Sequence, residues 1–195
     1  MNSERYPPIT DKALRQRLEH ERLQVWIVGP GGSGINMLAN HLETHGIRSI
    51  TKSWKQYGCH RIRPVSVRGC KAIFVTADPR VALRSQMVQG LYGLNVRKLS
   101  NFESYECKDS DLFYTQAKEW INYAGPMPIF YVRYESIPYI WNILSMSIMG
   151  DSTISAPKWI DRKTVLQDDS LGRELDGRTQ LWRRYLENQN WYHKL

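Results

Sequence analysis

The run Val25-Trp26-Ile27-Val28-Gly29-Pro30-Gly31-Gly32-Ser33-Gly34-Ile35-Asn36-Met37-Leu38-Ala39-Asn40-His41-Leu42 carries three signals in order. Its first four residues are apolar, as suits a strand buried on both faces. A glycine-rich turn follows, and then the opening of a helix. The first turn of a helix leaves backbone N–H groups without intrahelical acceptors, at the positive end of the helix dipole. Glycines let the main chain close tightly around whatever those groups face. The segment therefore predicts an anion cradle at the carboxyl end of a strand.

Gly29 and Gly34 stand at the spacing of the phosphate-loop pattern G-x-x-x-x-G-K-[ST], but Ile35 and Asn36 occupy its Lys and Ser/Thr positions. Amides remain to hold a phosphate. The ammonium and the hydroxyl that usually hold Mg²⁺–ATP are missing.

Outward from this loop, strands and helices alternate. Residues 11–23 predict a helix with Thr10 or Asp11 as cap and Leu14, Leu18 and Leu23 as its apolar positions. Strand 24–28 and helix 35–44 follow, the helix stopped by Gly46, and residues 47–51 predict a second strand. A third is predicted at 71–76. Asp78 then supplies a cap and Pro79 a first helical position, launching a helix over 81–89. Residues 95–109 are polar and predict a loop or lid. A helix at 111–123 and a strand at 129–133 come next. Residues 137–149 are apolar around most of the helical circumference, which predicts a buried helix ending at Gly150. Residues 151–171 are irregular, and a last helix is predicted at about 179–188. Such alternation implies an α/β fold, a three-layer parallel sheet flanked by helices, with ligands outside the strand carboxyl ends.

The chain has 195 residues, which suits one domain, with 1–23 as an N-terminal helical segment and 151–195 as a C-terminal extension. No run approaches the roughly 20 apolar residues that a membrane span needs. The polar N-terminus lacks a signal-peptide core, so a cytoplasmic location is expected. Cys59, Cys70 and Cys107 form no C-x-x-C pair and read as free thiols. Cys59, His60 and Cys70 lack an evident fourth ligand for zinc. The net charge is +8 and unevenly spread. Between Thr44 and Ala77 no acidic residue occurs, whereas Arg48, Lys52, Lys55, Arg61, Arg63, Arg68 and Lys71 do. A block of this kind attracts anions, or serves only as a solvated basic face.

The order of these pieces resembles the sulfotransferase family, whose fold is of the P-loop NTPase type. Pro30-Gly31-Gly32-Ser33-Gly34-Ile35-Asn36-Met37-Leu38 shares the frame of the family's P-K/R-S-G-T-T-x-L loop, and Lys52-Ser53-Trp54 is similar to its K-T/S-H. The stretch from Ala77 to Ser85 matches the Asp-Pro-Arg core and final serine of R-D/N-P-R/K-D-x-x-x-S. Lys118-Glu119-Trp120 and Arg133-Tyr134-Glu135-Ser136 then follow in the family's order, so that the resemblance spans residues 24–150. It implies transfer of a sulfuryl group from 3′-phosphoadenosine 5′-phosphosulfate to a hydroxyl or amine on a small molecule or glycan, rather than action on nucleic acid, and without a metal. It further implies that Gly31, Gly32, Ser33, Gly34, Ile35 and Asn36 cradle the 5′-phosphosulfate, Ser85 binds the 3′-phosphate, Met37 packs on the adenine and Tyr134 lies near it.

Three family positions differ here. Gly32 replaces the loop Lys/Arg, Ala77 replaces the first 3′-phosphate arginine, and Trp54 replaces the catalytic histidine. A cation beside the leaving oxygen is worth on the order of 3 kcal/mol, as one oxyanion donor is. The substitutes that the sequence offers are Lys52 or Arg80 for the leaving group, Arg84 for the 3′-phosphate and His60 as general base. The plainer reading of His60 is an ordinary surface histidine beside a basic loop. Trp54 is placed to stack on a planar acceptor, whereas Trp26, Trp120 and Trp141 read as core. Glu135 reads as a ligand contact, a partner of Arg133 or a helix cap, and Trp182-Arg183-Arg184-Tyr185 as part of a packed helix. Two other functional classes stand beside sulfuryl transfer. One is a P-loop kinase, which the missing lysine disfavours; the other is a non-catalytic relative that binds an anion, nucleotide or partner.

Overall fold

The computed structural model describes residues 10–49, 61–88, 109–159 and 172–191. Three parallel strands, β1 (Val25–Val28), β2 (Lys71–Thr76) and β3 (Ile129–Arg133), pair in the order β1-β2-β3. The register sets Val28 beside Phe74 and Thr76 beside Arg133, so the carboxyl ends of all three lie along one edge. Every side chain of β1, and every one of β2 after Lys71, is buried. Successive strand residues face opposite sides, so unbroken burial means that this small sheet is covered on both faces.

Among the described residues the cover comes from six helices: α1 (Asp11–His20), α2 (Ile35–Thr44), α3 (Pro79–Val88), α4 (Asp109–Ile121), α5 (Ile137–Met149) and α6 (Gly172–Glu187). Trp120 of α4 meets Trp26 edge-on at 5.0 Å and stacks on Phe74 at 5.8 Å. Its indole N–H also donates to the Arg61 carbonyl at 2.8 Å, which pins the approach to β2. Helix α6 packs on α3 and α4, with Trp182 stacked on Phe113 at 5.3 Å. Trp182 and Leu186 belong to the same core cluster as Leu14 and Leu18, so both ends of the chain feed one interior.

Local chemistry explains the element ends. Thr10, not Asp11, caps α1, accepting from the Ala13 N–H at 3.2 Å. The Asp78 carboxylate accepts from the Arg80 N–H at 2.9 Å, with Pro79 at the first helical position of α3. Gly46 and Gly150 take φ of 75° and 74° just past α2 and α5.

Four expectations need correction. Helix α1 stops at His20, because Arg22 turns into the left-handed region (φ 52°), yet Leu23 is still buried. Residues 47–49 are not a strand: the Arg48 carbonyl accepts from both the Gln24 and Val25 N–H groups, at 3.0 and 3.2 Å, instead of continuing a ladder. Residues 50 and 51 lie outside the described part, as does the expected lid up to residue 108. Helix α6 begins at Gly172, well before residue 179. Finally, α5 is not buried all round. Ile137, Trp141, Leu144 and Ile148 face inward, whereas Tyr139 and Ile143 are 77% and 73% exposed. No helix among the described residues is long and apolar enough to cross a membrane.

Candidate functional site

From Val28 the chain turns through the glycines into α2. Gly32 and Gly34 have φ of 78° and 82°, in the region where a Cβ is strained. Space excludes a side chain as well. A Cβ on Gly29 would collide with the Val75 carbonyl, one on Gly32 with the Ala82 carbonyl, and one on Gly34 with the ring of Tyr134. The loop is therefore wedged against β2, α3 and the residue that follows β3. Gln86 of α3 is buried and donates from Nε2 to the Gly31 carbonyl at 2.6 Å, fixing that peptide plane.

Two features of the loop suit an anion. Gly34 is the N-cap of α2 and, as a glycine, offers no side-chain oxygen to the first turn. Beside it, the Ser33 hydroxyl is fully buried and has no hydrogen-bond partner among the described residues. A buried polar group in that state costs about 1–3 kcal/mol, which a bound ligand with a complementary atom would recover.

The neighbouring strand ends supply charge. Glu135 accepts from the Asp78 N–H at 3.2 Å through Oε1 and from Arg133 Nε at 2.9 Å through Oε2. It thus ties the end of β3 to the start of α3. Its pairing with Arg133 is one of the structural roles that the sequence offers; its grip on Asp78 is not legible there. Arg80 is half-buried, with Nε 3.6 Å from Asp78 Oδ1, and Arg84 and Ser85 are buried on α3.

Tyr134 is 1% exposed, its ring against Gly34 and stacked on Trp159 at 6.0 Å and 27°. Trp159 is half-buried, and its buried Nε1 has no hydrogen-bond partner among the described residues. Sequence reasoning missed Trp159 because no local pattern links it to a loop more than a hundred residues upstream. Ile35 is a core side chain, so only its amide is available, while Met37 is half-buried against the core and Asn36 is exposed. Lys52, Trp54 and His60 lie outside the described residues, as do Cys59 and Cys107.

Further from the loop, His41 of α2 lies edge-on to His45 at 4.8 Å and to Trp141 at 5.0 Å, and its Nε2 is 3.0 Å from the Ser155 carbonyl. Burial, helped by the adjacent His45, holds its pKa below the ordinary histidine value, against the opposing pull of the Ser155 carbonyl. Trp141 Nε1 donates to the Ile154 carbonyl at 2.7 Å, so the two rings together hold the segment that leads to Trp159. Burial pushes the Cys70 thiol up to about 12, which makes it a protonated, unreactive group. Among the described residues, no group of three or more His, Cys, Asp or Glu is placed to hold a metal ion.

Comparison of the chain with protein-family models, with curated proteins and with solved structures finds no match.

Proposed function

We propose that the chain adopts a P-loop-type, sulfotransferase-like fold, binds 3′-phosphoadenosine 5′-phosphosulfate and moves its sulfuryl group to a hydroxyl or amine of a small molecule or glycan. The single observation that carries the proposal is the state of the loop: an α2 start without a side-chain cap, beside a buried Ser33 hydroxyl without a partner. The start of α3 and the end of β3 flank it, at the sheet edge where α/β proteins hold ligands. In this assignment the amides of Gly34, Ile35 and Asn36, beside the Gly31–Ser33 turn that the Ser33 N–H closes on the Pro30 carbonyl at 3.3 Å, take the 5′-phosphosulfate, and Arg84 and Ser85 the 3′-phosphate. Arg80 offsets charge on the leaving group, Met37 packs on the base, and Trp159 joins Tyr134 in lining it. Lys52 and His60 are the proposed further cation and base. The proposed setting is the cytoplasm.

A second function has its own support. A Cβ at Gly32 would strike the Ala82 carbonyl, which leaves no room there for the loop cation that sulfuryl transfer favours, and the fully buried Ala77 leaves none for the 3′-phosphate arginine. That favours a catalytically degenerate protein which binds the nucleotide or a related anion without turning it over. Calorimetric titration with adenosine 3′,5′-bisphosphate tests both. The expected result is saturable binding without Mg²⁺, tighter than for adenosine 5′-phosphate. Absence of binding overturns both functions, whereas binding without sulfuryl transfer to a panel of acceptors selects the second.

A further inference from the structure

A cavity of about 570 Å³ opens at the amino ends of β2 and β3, away from the glycine loop. Arg15 and Glu19 of α1 form one wall, and the turn that carries Arg68 into β2 forms another. Val67 and Met127 are buried and supply an apolar floor. Arg15 and Arg68 are exposed, and among the described residues neither makes an ion pair or side-chain hydrogen bond. Lys71 also lines the cavity, but its ammonium is engaged with the Ser147 carbonyl at 2.6 Å, in the last turn of α5.

From these groups we infer a second binding site, for a monoanionic carboxylate or sulfonate with an apolar body. The volume falls within the range of small-molecule sites. A guanidinium presents a planar fork of donors that matches a carboxylate, and two of them unpaired at one cavity leave positive charge without a protein partner. The floor then receives the apolar part of the ligand. Glu19 on the same wall repels a second negative charge, which disfavours polyphosphates and nucleic acid here. This site is chemically unlike the glycine loop, where main-chain amides are the donors, and the inference does not rest on sulfuryl transfer.

The test uses naphthoate as probe and neutral naphthamide as control, followed by amide chemical shifts of the isotopically labelled chain. Naphthoate is expected to shift Gly69 and Cys70 saturably at millimolar concentration, with naphthamide clearly weaker. Arg15→Ala and Arg68→Ala are each expected to weaken naphthoate by about two- to fivefold, as partly exposed charge pairs do, and the double variant by about tenfold. Both residues are on the surface, and an unchanged spectrum of the remaining amides verifies that the variants fold. Equal binding of naphthamide, shifts confined to the glycine loop, no saturable shift at Gly69 and Cys70, or variants that bind like the parent would each overturn the inference.

Discussion

Replacing Gly34 by alanine tests whether Tyr134 seals the glycine loop. Two terms add at this position. A non-glycine residue in the left-handed region costs roughly 1–2 kcal/mol, and Gly34 has φ 82°. The new Cβ would also run into the Tyr134 ring, which is 1% exposed and backed by Trp159, so it has little freedom to retreat. Overpacking of that kind adds about 1–3 kcal/mol. The sum is about 2–5 kcal/mol, or roughly 4–20 °C in Tm for a chain of this size. Gly46 is an internal control. It has φ 75°, but a Cβ there meets nothing within 4 Å, so Gly46→Ala carries only the backbone term, roughly 2–8 °C. Urea denaturation followed by tryptophan fluorescence measures both, and repeating Gly34→Ala in a Tyr134→Ala background isolates the ring contact. The steric term should vanish in that background, a coupling of about 1–3 kcal/mol. If Gly34→Ala is no worse than Gly46→Ala, or costs the same with and without the Tyr134 ring, the packing argument is wrong.

Three further outcomes follow from the same geometry. Ser33→Ala removes a buried hydroxyl that has no partner, so the free protein should be unchanged or up to about 1 kcal/mol more stable, while affinity for adenosine 3′,5′-bisphosphate falls; paired denaturation and calorimetry check both. Gln86→Leu strands the Gly31 carbonyl and should lower stability by about 1–3 kcal/mol in urea denaturation, with bisphosphate binding weakened as the loop loses its anchor. The third concerns pH. The folded pKa of His41 lies below its unfolded value, so the unfolded chain binds more protons in between. Its contribution to stability is intact above the ordinary histidine pKa and is lost as the pH falls through the folded value. His41→Gln keeps a donor for the Ser155 carbonyl and should flatten that acid-side decline when denaturation midpoints are compared across pH.

Much of the fold is legible because its signals are local. Lys71-Ala72-Ile73-Phe74-Val75-Thr76 is a strand from end to end, as its continuous apolar character requires, and α2 and α5 end where Gly46 and Gly150 free the chain to reverse. Asp78 followed by Pro79 announces the start of α3 for a stereochemical reason that needs no tertiary context. The misreadings are all tertiary. Composition could not tell that Tyr139 and Ile143 face outward, since an apolar circumference gives no stripe to orient the helix. The start of α6 was hidden by Gly172 and Gly177, weak helix formers whose cost is offset by packing of the helix on α3 and α4. At the site, the glycine turn and the helix behind it are readable from spacing. The Gln86 anchor, the Glu135 bridge to Asp78 and the Trp159 stack join residues far apart in the chain, and only the three-dimensional arrangement reveals them.

The account stands on main-chain amides at the start of α2 holding a negatively charged group. Amide chemical shifts of the labelled chain, titrated with adenosine 3′,5′-bisphosphate in the absence of Mg²⁺, measure this directly. The predicted result is a saturable downfield shift of the Gly34, Ile35 and Asn36 N–H resonances, absent with adenosine alone. Resonances there that stay fixed while others move, or that do not respond at millimolar ligand, would contradict it.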